Sequence, residues 1–305
     1  MEHTVQILVI GATGYAGRRV STALARAGHT VLGLARDTAS PAARALVADE
    51  VTPVPGDFSR PETWRGHLEG TDAVVHLLMD MSDPVGSDRR LFAELLAAQE
   101  RDGRRRHLVF TTGISSYGRT GLALMDENTP GNPDSPIGFR FALEKDLAAS
   151  GLAHTVVRPG FMYGGPAGTS MTGQWFAAAE AGTPVFYGDT AKRWSWVHVD
   201  DLADAYVRIL DNPAAVDKET FVIADDQRLS ALDMQRAAVR AAGFTGEITL
   251  ESAEAGGMMQ MAADQDELVT SAKAHRLLGW HPRHTAFTDN PELHYRAWKA
   301  AQPTS

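Results

Sequence analysis

Apolar residues follow two rhythms along this chain: short unbroken runs, and stretches in which they recur every three or four positions. The run Val5 to Ile10, broken only by Gln6, ends at Gly11. From Tyr15 the period changes, with Val20, Ala23, Leu24 and Ala27 at i, i+3, i+4 and i+7. The pattern predicts a buried strand, a glycine turn and an amphipathic helix. Further strands are expected at Thr30–Leu34, Val51–Val54, Ala73–Leu78, Leu108–Thr112 and Thr155–Arg158. Helices are expected from Pro41, over Pro61–Leu68, over Pro84–Gln99 (Leu91, Leu95 and Leu96 on one face) and over Phe139–Ala149. Strict alternation of this kind predicts right-handed crossovers and an α/β fold on a parallel sheet.

From about residue 164 the alternation loosens, leaving helices near Gln174–Glu180, Asp200–Leu210 and Leu232–Ala242 and a strand at Phe221–Ala224. Residues 1–165 are therefore expected to form the main domain, which also receives the helix and strand of 195–225. Residues 166–305 form mostly a smaller substrate-capping region. The glycine- and proline-rich stretch Gly113–Ile137 is too long for an ordinary connection and is expected to be an active-site loop.

The chemistry begins at the first turn. Gly11, Gly14 and Gly17, with Thr13 and Tyr15 between them, lie between a strand and a helix. There, backbone N–H groups and the helix dipole hold a pyrophosphate, and a Cβ would block the approach. The second strand closes on Ala35 followed by Arg36, where an acidic residue would bind ribose hydroxyls and a basic one favours a 2′-phosphate. The expected cofactor is therefore NADP(H), with Asp37 the one residue that argues the other way.

Composition narrows this further. The chain has 305 residues, 44% hydrophobic and 22% charged, as in ordinary globular proteins. It has no cysteine, which excludes disulfides, thiol catalysis and thiolate metal sites; no metal is expected. A net charge of −9 argues against a nucleic-acid partner, and Arg104-Arg105-Arg106 reads as a solvated turn. No apolar run approaches about 18 residues and no leader precedes the first strand, so no membrane partner and a cytoplasmic location are expected.

Several segments resemble the extended, epimerase/dehydratase-like branch of the short-chain dehydrogenase/reductase superfamily. They are GATGYAG (11–17), GDFSRPETW (56–64), DAVVHLL (72–78), FTTGISSYG (110–118), VVRPGFMYGG (156–165), RWSWVHVDDLADA (193–205) and LLGWHPR (277–283). The resemblance implies a Rossmann doubly wound sheet, a nicotinamide dinucleotide, a small-molecule substrate under the C-terminal region and a homodimer. It puts Asp57 at the adenine, His76 and Leu77 at its ribose, and Pro159 and Phe161 against the nicotinamide. It also makes Arg193 an anion contact for substrate.

The family's proton relay is a serine or threonine, a tyrosine, and a lysine four residues on that lowers the tyrosine's pKa. Here the tyrosine position falls on Ile137, the lysine position on Phe141 and the serine position on Gly113; no Tyr-x-x-x-Lys occurs in residues 130–160. Ile137 and Phe141, at i and i+4, are expected to present an apolar wall to substrate. Replacement candidates are Thr112, Ser115 and Tyr163, with Tyr117, Lys145, His198, Asp80 and Asp83 expected in structural or solvated roles. Met79, Met81, Trp175, Phe176, Met258, Met259 and Met261, placed in the capping region, suggest either an apolar substrate site or core filling. Three functions remain open: an NADP(H)-dependent oxidoreductase on an apolar molecule, a non-redox isomerase, cyclase or lyase with a structural or absent dinucleotide, and an NADP(H)-reading sensor.

Overall fold

The computed structural model describes residues 5–302 except 136, 167 and 169. Met1–Thr4, on which the leaderless start was read, and Pro136, inside the loop before the fourth helix, lie outside that set. The strands in chain order are β1 (Gln6–Ile10), β2 (Thr30–Ala35), β3 (Thr52–Pro55), β4 (Ala73–His76), β5 (His107–Thr111), β6 (Ala153–Pro159), β7 (Phe161–Tyr163), β8 (Val185–Tyr187), β9 (Trp196–His198), β10 (Thr220–Ile223) and β11 (Thr249–Glu251). The central sheet is seven-stranded and parallel, in the order β10-β6-β5-β4-β1-β2-β3. Its middle strands are buried end to end, as a sheet covered on both faces requires. The two prolines of β3 are tolerated because β3 is an edge, where a missing N–H interrupts no ladder.

Contacts divide the chain into two units. The first comprises 1–112, 139–158 and 203–221. Its helices are α1 (Tyr15–Arg26), α2 (Pro41–Ala48), α3 (Pro84–Asp102), α4 (Phe139–Ala149) and most of α6 (Val199–Asp211). Two of the starts are written in the sequence: Ser40 caps α2 by accepting from Ala43 N–H, Asp83 caps α3 by accepting from Gly86 N–H, and a proline follows each cap. Leu91 and Leu95 of α3 and Leu143 and Leu147 of α4 pack with Leu108 and Phe110 of β5 in one core. Pro61–Leu68, expected as one helix, is instead two short 3₁₀ turns, Pro61–Thr63 and Arg65–Leu68. Between them Trp64 leaves helical geometry (φ −130°), with its buried indole donating to the Phe58 carbonyl. Arg106 also departs from the expected solvated turn: it is buried and donates to the Leu68 carbonyl.

The second unit comprises 113–138, 159–202 and 222–305. The loop 113–138 therefore gathers with the later segments rather than with residues 1–112. Backbone hydrogen bonds explain this, since Met125 N–H donates to the Leu268 carbonyl and Thr270 N–H to that of Met125. Two small parallel pairs, β7 with β9 and β8 with β11, lie in this unit alongside α5 (Met171–Glu180), α7 (Ala231–Ala241), α8 (Met258–Ala263), α9 (Ala272–Leu278) and α10 (Pro291–Ala300). Among the described residues, no helix is long and apolar enough to cross a membrane.

Candidate active site

The first unit carries a crevice of about 410 Å³ at the carboxyl ends of β1, β2 and β4, lined by Gly11, Thr13, Arg36, Asp57, Met79 and Asp80 among others. Gly11 sits at φ +92°, and a Cβ there would lie 3.1 Å from the Leu77 backbone. At Gly17 a Cβ would lie 1.9 Å from the Gly11 carbonyl oxygen, so α1 touches the β1 turn only because that residue is glycine. Gly14 is the N-cap of α1 and offers no side-chain cap, a helix N-terminus suited to an anion. Arg36 is exposed on the crevice wall, while the Asp37 carboxylate accepts from Ala39 N–H in its own loop. Asp57 accepts from Ser59 N–H and Oγ, which holds its carboxyl below the usual range. These residues fit a dinucleotide: a glycine cradle for the pyrophosphate, and a cation where the adenosine end would lie.

Two expectations change here. Met79 and Met81 belong to this crevice in the first unit, not to the capping region. His76 is fully buried at the end of β4, its ring between Phe58 and Phe110, so only its backbone and the half-buried Leu77 could border a ribose.

Behind the ends of β4, β5 and β6 lies a buried charged network. Arg140 of α4 donates to Asp88 of α3 at 3.0 Å and to the Thr111 carbonyl at 3.2 Å. The His76 Nε2 is 3.3 Å from Asp88. Burial pushes the Asp88 carboxyl up to about 7, and burial plus the Arg140 charge push His76 down to about 3. One turn along α4, Glu144 pairs with Arg158 and accepts from Thr112 Oγ1 at 2.7 Å. The face that α4 buries is therefore Arg140, Leu143, Glu144 and Leu147, not the apolar wall expected of Ile137 and Phe141. Ile137 precedes the helix, which starts at Phe139, so the two do not share a helix face. Phe141 is half-buried with its ring 4.4 Å beneath the Arg158 guanidinium. Lys145 is exposed. No signal distinguished these buried charges from a surface pair, except that Arg140 and Glu144 share a stripe with leucines at i, i+3, i+4 and i+7.

The second unit holds the aromatic residues. Phe161 stacks on Trp194 at 4.3 Å, and Trp175 lies parallel to Trp194 at 6.4 Å. A cavity of about 200 Å³ is lined by Met171, Trp175, Phe186, Lys192, Trp194 and Gln260 among others. Arg193 lines a separate hollow with Arg228 and Arg236. Tyr163 is fully buried, edge-on to His198, Phe287 and His294. Tyr117 is buried and donates to the Asp126 carbonyl. His198 accepts from Asp200 N–H in the first turn of α6. Phe176 is core, whereas Met258, Met259 and Met261 are exposed on the outer side of α8, neither core nor cavity lining. Of the candidate donors, Thr112 and Ser115 are both half-buried with the hydroxyl on a buried acid, Thr112 on Glu144 and Ser115 on Glu267. Nothing in the sequence singled out Glu267.

The profile of the NAD dependent epimerase/dehydratase family matches residues 7–224. The chain belongs to that family. Its relatives include a 3-diazoavenalumate denitrifying reductase of Streptomyces sp, 29% identical over 306 residues, covering 93% of this chain and 98% of the relative. Isoflavone reductase homolog IRL of Zea mays is 31% identical over 224 residues, 71% of this chain and 68% of its own. Among solved structures, a dTDP-glucose 4,6-dehydratase of Bacillus anthracis in complex with NAD superposes with a TM-score of 0.82 at 17% identity, covering 98% of this chain and all of that one (100%). This epimerase/dehydratase-family chain thus shares the extended short-chain dehydrogenase/reductase fold, with enzymes among its relatives.

Proposed function

We propose that the chain is an NADP(H)-dependent oxidoreductase that reduces the carbonyl group of an apolar small molecule without a tyrosine–lysine pair. The observation that carries this reading is the crevice wall: Arg36 lines it beside Gly11 and Thr13, and the neighbouring acid, Asp37, is folded into its own loop. NADPH would supply the hydride. Gly11, Gly14 and Gly17 would admit its pyrophosphate, and Arg36 its 2′-phosphate. The aromatic cavity of Trp175, Phe186 and Trp194 supports an apolar or aromatic substrate, and the two relatives described above are named as reductases.

The test has two parts. Calorimetry should give tighter binding of NADPH than of NADH, and Arg36→Ala should remove that preference. A charged hydrogen bond contributes about 1.5–3 kcal/mol, so the loss should be roughly 10- to 100-fold. A panel of aromatic and aliphatic aldehydes and ketones should then consume NADPH, read as falling 340 nm absorbance. Equal affinity for both cofactors would overturn the NADP(H) assignment.

A second reading, non-redox isomerisation or elimination over a retained dinucleotide, is favoured by one observation. Both charged side chains that α4 buries are engaged in ion pairs, leaving that helix no idle proton carrier. Product formation with unchanged absorbance would select it.

A further inference from the structure

The aromatic cavity of about 200 Å³ lies wholly within the second unit, lined by residues of α5, β8 and α7, with Gln260 of α8. Trp175, Phe186 and Trp194 line it, and so do two buried polar side chains, Gln235 and Lys192. The volume suits one six-membered ring with a small substituent, since a dry cavity of about 150 Å³ admits benzene.

Gln235 has no exposed surface and donates from Nε2 to the Val185 carbonyl at 3.0 Å. A carbonyl only accepts, which fixes that end of the amide as nitrogen and the other as oxygen. Oε1 is buried and, among the described residues, meets no donor. Buried acceptors are paired in the great majority of cases, so this one calls for a donor from a ligand. Lys192 is buried as well. Its ammonium donates to the Tyr187 carbonyl at 2.6 Å, lies 3.4 Å from Asp264 Oδ1, and rests 4.7 Å from the Phe186 ring centre. An ammonium has three hydrogens, so one remains. The cavity thus combines a spare acceptor and a spare donor with aromatic walls.

We infer that this cavity binds a phenol, its ring against Trp175, Phe186 and Trp194, its hydroxyl donating to Gln235 Oε1 and accepting from Lys192. A hydroxyl both gives and takes at a single oxygen. A carboxylate only accepts, so it would meet Oε1 acceptor to acceptor, and the Lys192 charge it would use already faces Asp264. A bare hydrocarbon ring would leave both polar groups buried without a partner. An aliphatic alcohol would satisfy them but give up the contact of ring with indole. The cavity belongs to the second unit alone; only a substrate role for the phenol would rest on the reductase reading.

Calorimetry on the whole chain without cofactor, with phenol, toluene and benzoate as probes, tests the site. Phenol should bind about tenfold more tightly than toluene, the worth of one hydrogen bond, and benzoate more weakly than either. Gln235→Met, similar in length but without the amide oxygen, should weaken phenol about tenfold and leave toluene as it was. Of the six tryptophan indole N–H resonances, those of Trp175 and Trp194 should move most as phenol is added.

Equal affinity for phenol and toluene overturns the phenol site, as does benzoate binding more tightly than phenol, which would make Lys192 a plain anion contact. Unaltered phenol affinity in a folded Gln235→Met also overturns it. Were that variant not to fold, since it leaves the Val185 carbonyl without its donor, the wild-type ranking and the indole shifts would still decide. NADPH consumption with a hydroxybenzaldehyde separates the two readings. No consumption beside the expected ranking rejects the reductase and leaves the phenol site; consumption without the ranking rejects the site and leaves the reductase.

Discussion

Glu144 shows how much a single buried side chain can hold. It pairs with Arg158, accepts from Thr112, and lies at the core with 8% exposure. Removing one partner of a buried ion pair leaves the other charge poorly compensated, which is worth about 3–5 kcal/mol. Glu144→Ala should therefore lower the urea midpoint by that equivalent, while Lys145→Ala, one residue on but exposed, should stay within about 0.5 kcal/mol. A loss under about 1 kcal/mol at Glu144 would mean that its ion pair is not fixed in solution. The chain alone carries one trace of this, the stripe that Arg140 and Glu144 share with Leu143 and Leu147. An arginine and a glutamate four apart read equally well as a surface pair, and what settles their burial is distant in sequence: Asp88 for Arg140, and Arg158 for Glu144. The same blindness explains Glu267, whose only mark is its meeting with Ser115 across 152 positions.

Among the elements, legibility followed length and punctuation. The strands of the central sheet and helices α1, α3 and α4 were readable because each has a sustained period and a glycine, proline or capping residue at its end. Phe139–Ala149 was read with both its limits. The three-residue strands β7, β8, β9 and β11 are too short for any period to register. The register of α4's buried face was missed because charged residues occupy two of its four core positions. The turn that opens α1 gives a sharp prediction. Gly17→Ala would drive a methyl into the Gly11 carbonyl, with an overpacking penalty of about 1–3 kcal/mol. It should also push α1 off the turn that would receive the pyrophosphate. Calorimetry should find dinucleotide binding lost in a variant that still folds; retained binding would move the cofactor away from this corner.

For the whole molecule, the buried ionisable groups set a direction for stability against pH. Asp88 and Asp225 are raised to about 7 and Glu267 to about 8 from ordinary values of 3.8, 3.8 and 4.5. Between the unfolded and folded values the native state binds the extra proton, so stability falls as pH rises, by at most about 1.4 kcal/mol per unit per group. His76, His107 and His294 are lowered by burial to about 3, 4 and 4 from 6.5. They act the other way, and only below about pH 6.5, where the unfolded chain takes up the proton first. Above about pH 6.5 these histidines no longer contribute, so the raised carboxyls should make the urea midpoint decline up to about pH 8. A midpoint that rises there would show these acids ionised in the native state.

The division into two units has a further consequence for biosynthesis. The polypeptide passes from one unit to the other after residues 112, 138, 158, 202 and 221, so neither is a contiguous stretch of gene. Emerging from the ribosome, the nucleotide-cradling unit has to wait for α6, whose Tyr206 hydroxyl meets Thr111, and for the outermost strand, β10. A nascent chain arrested near residue 165 carries the whole glycine signature yet leaves the β6 edge bare, a template for aggregation that only the next sixty or so residues remove.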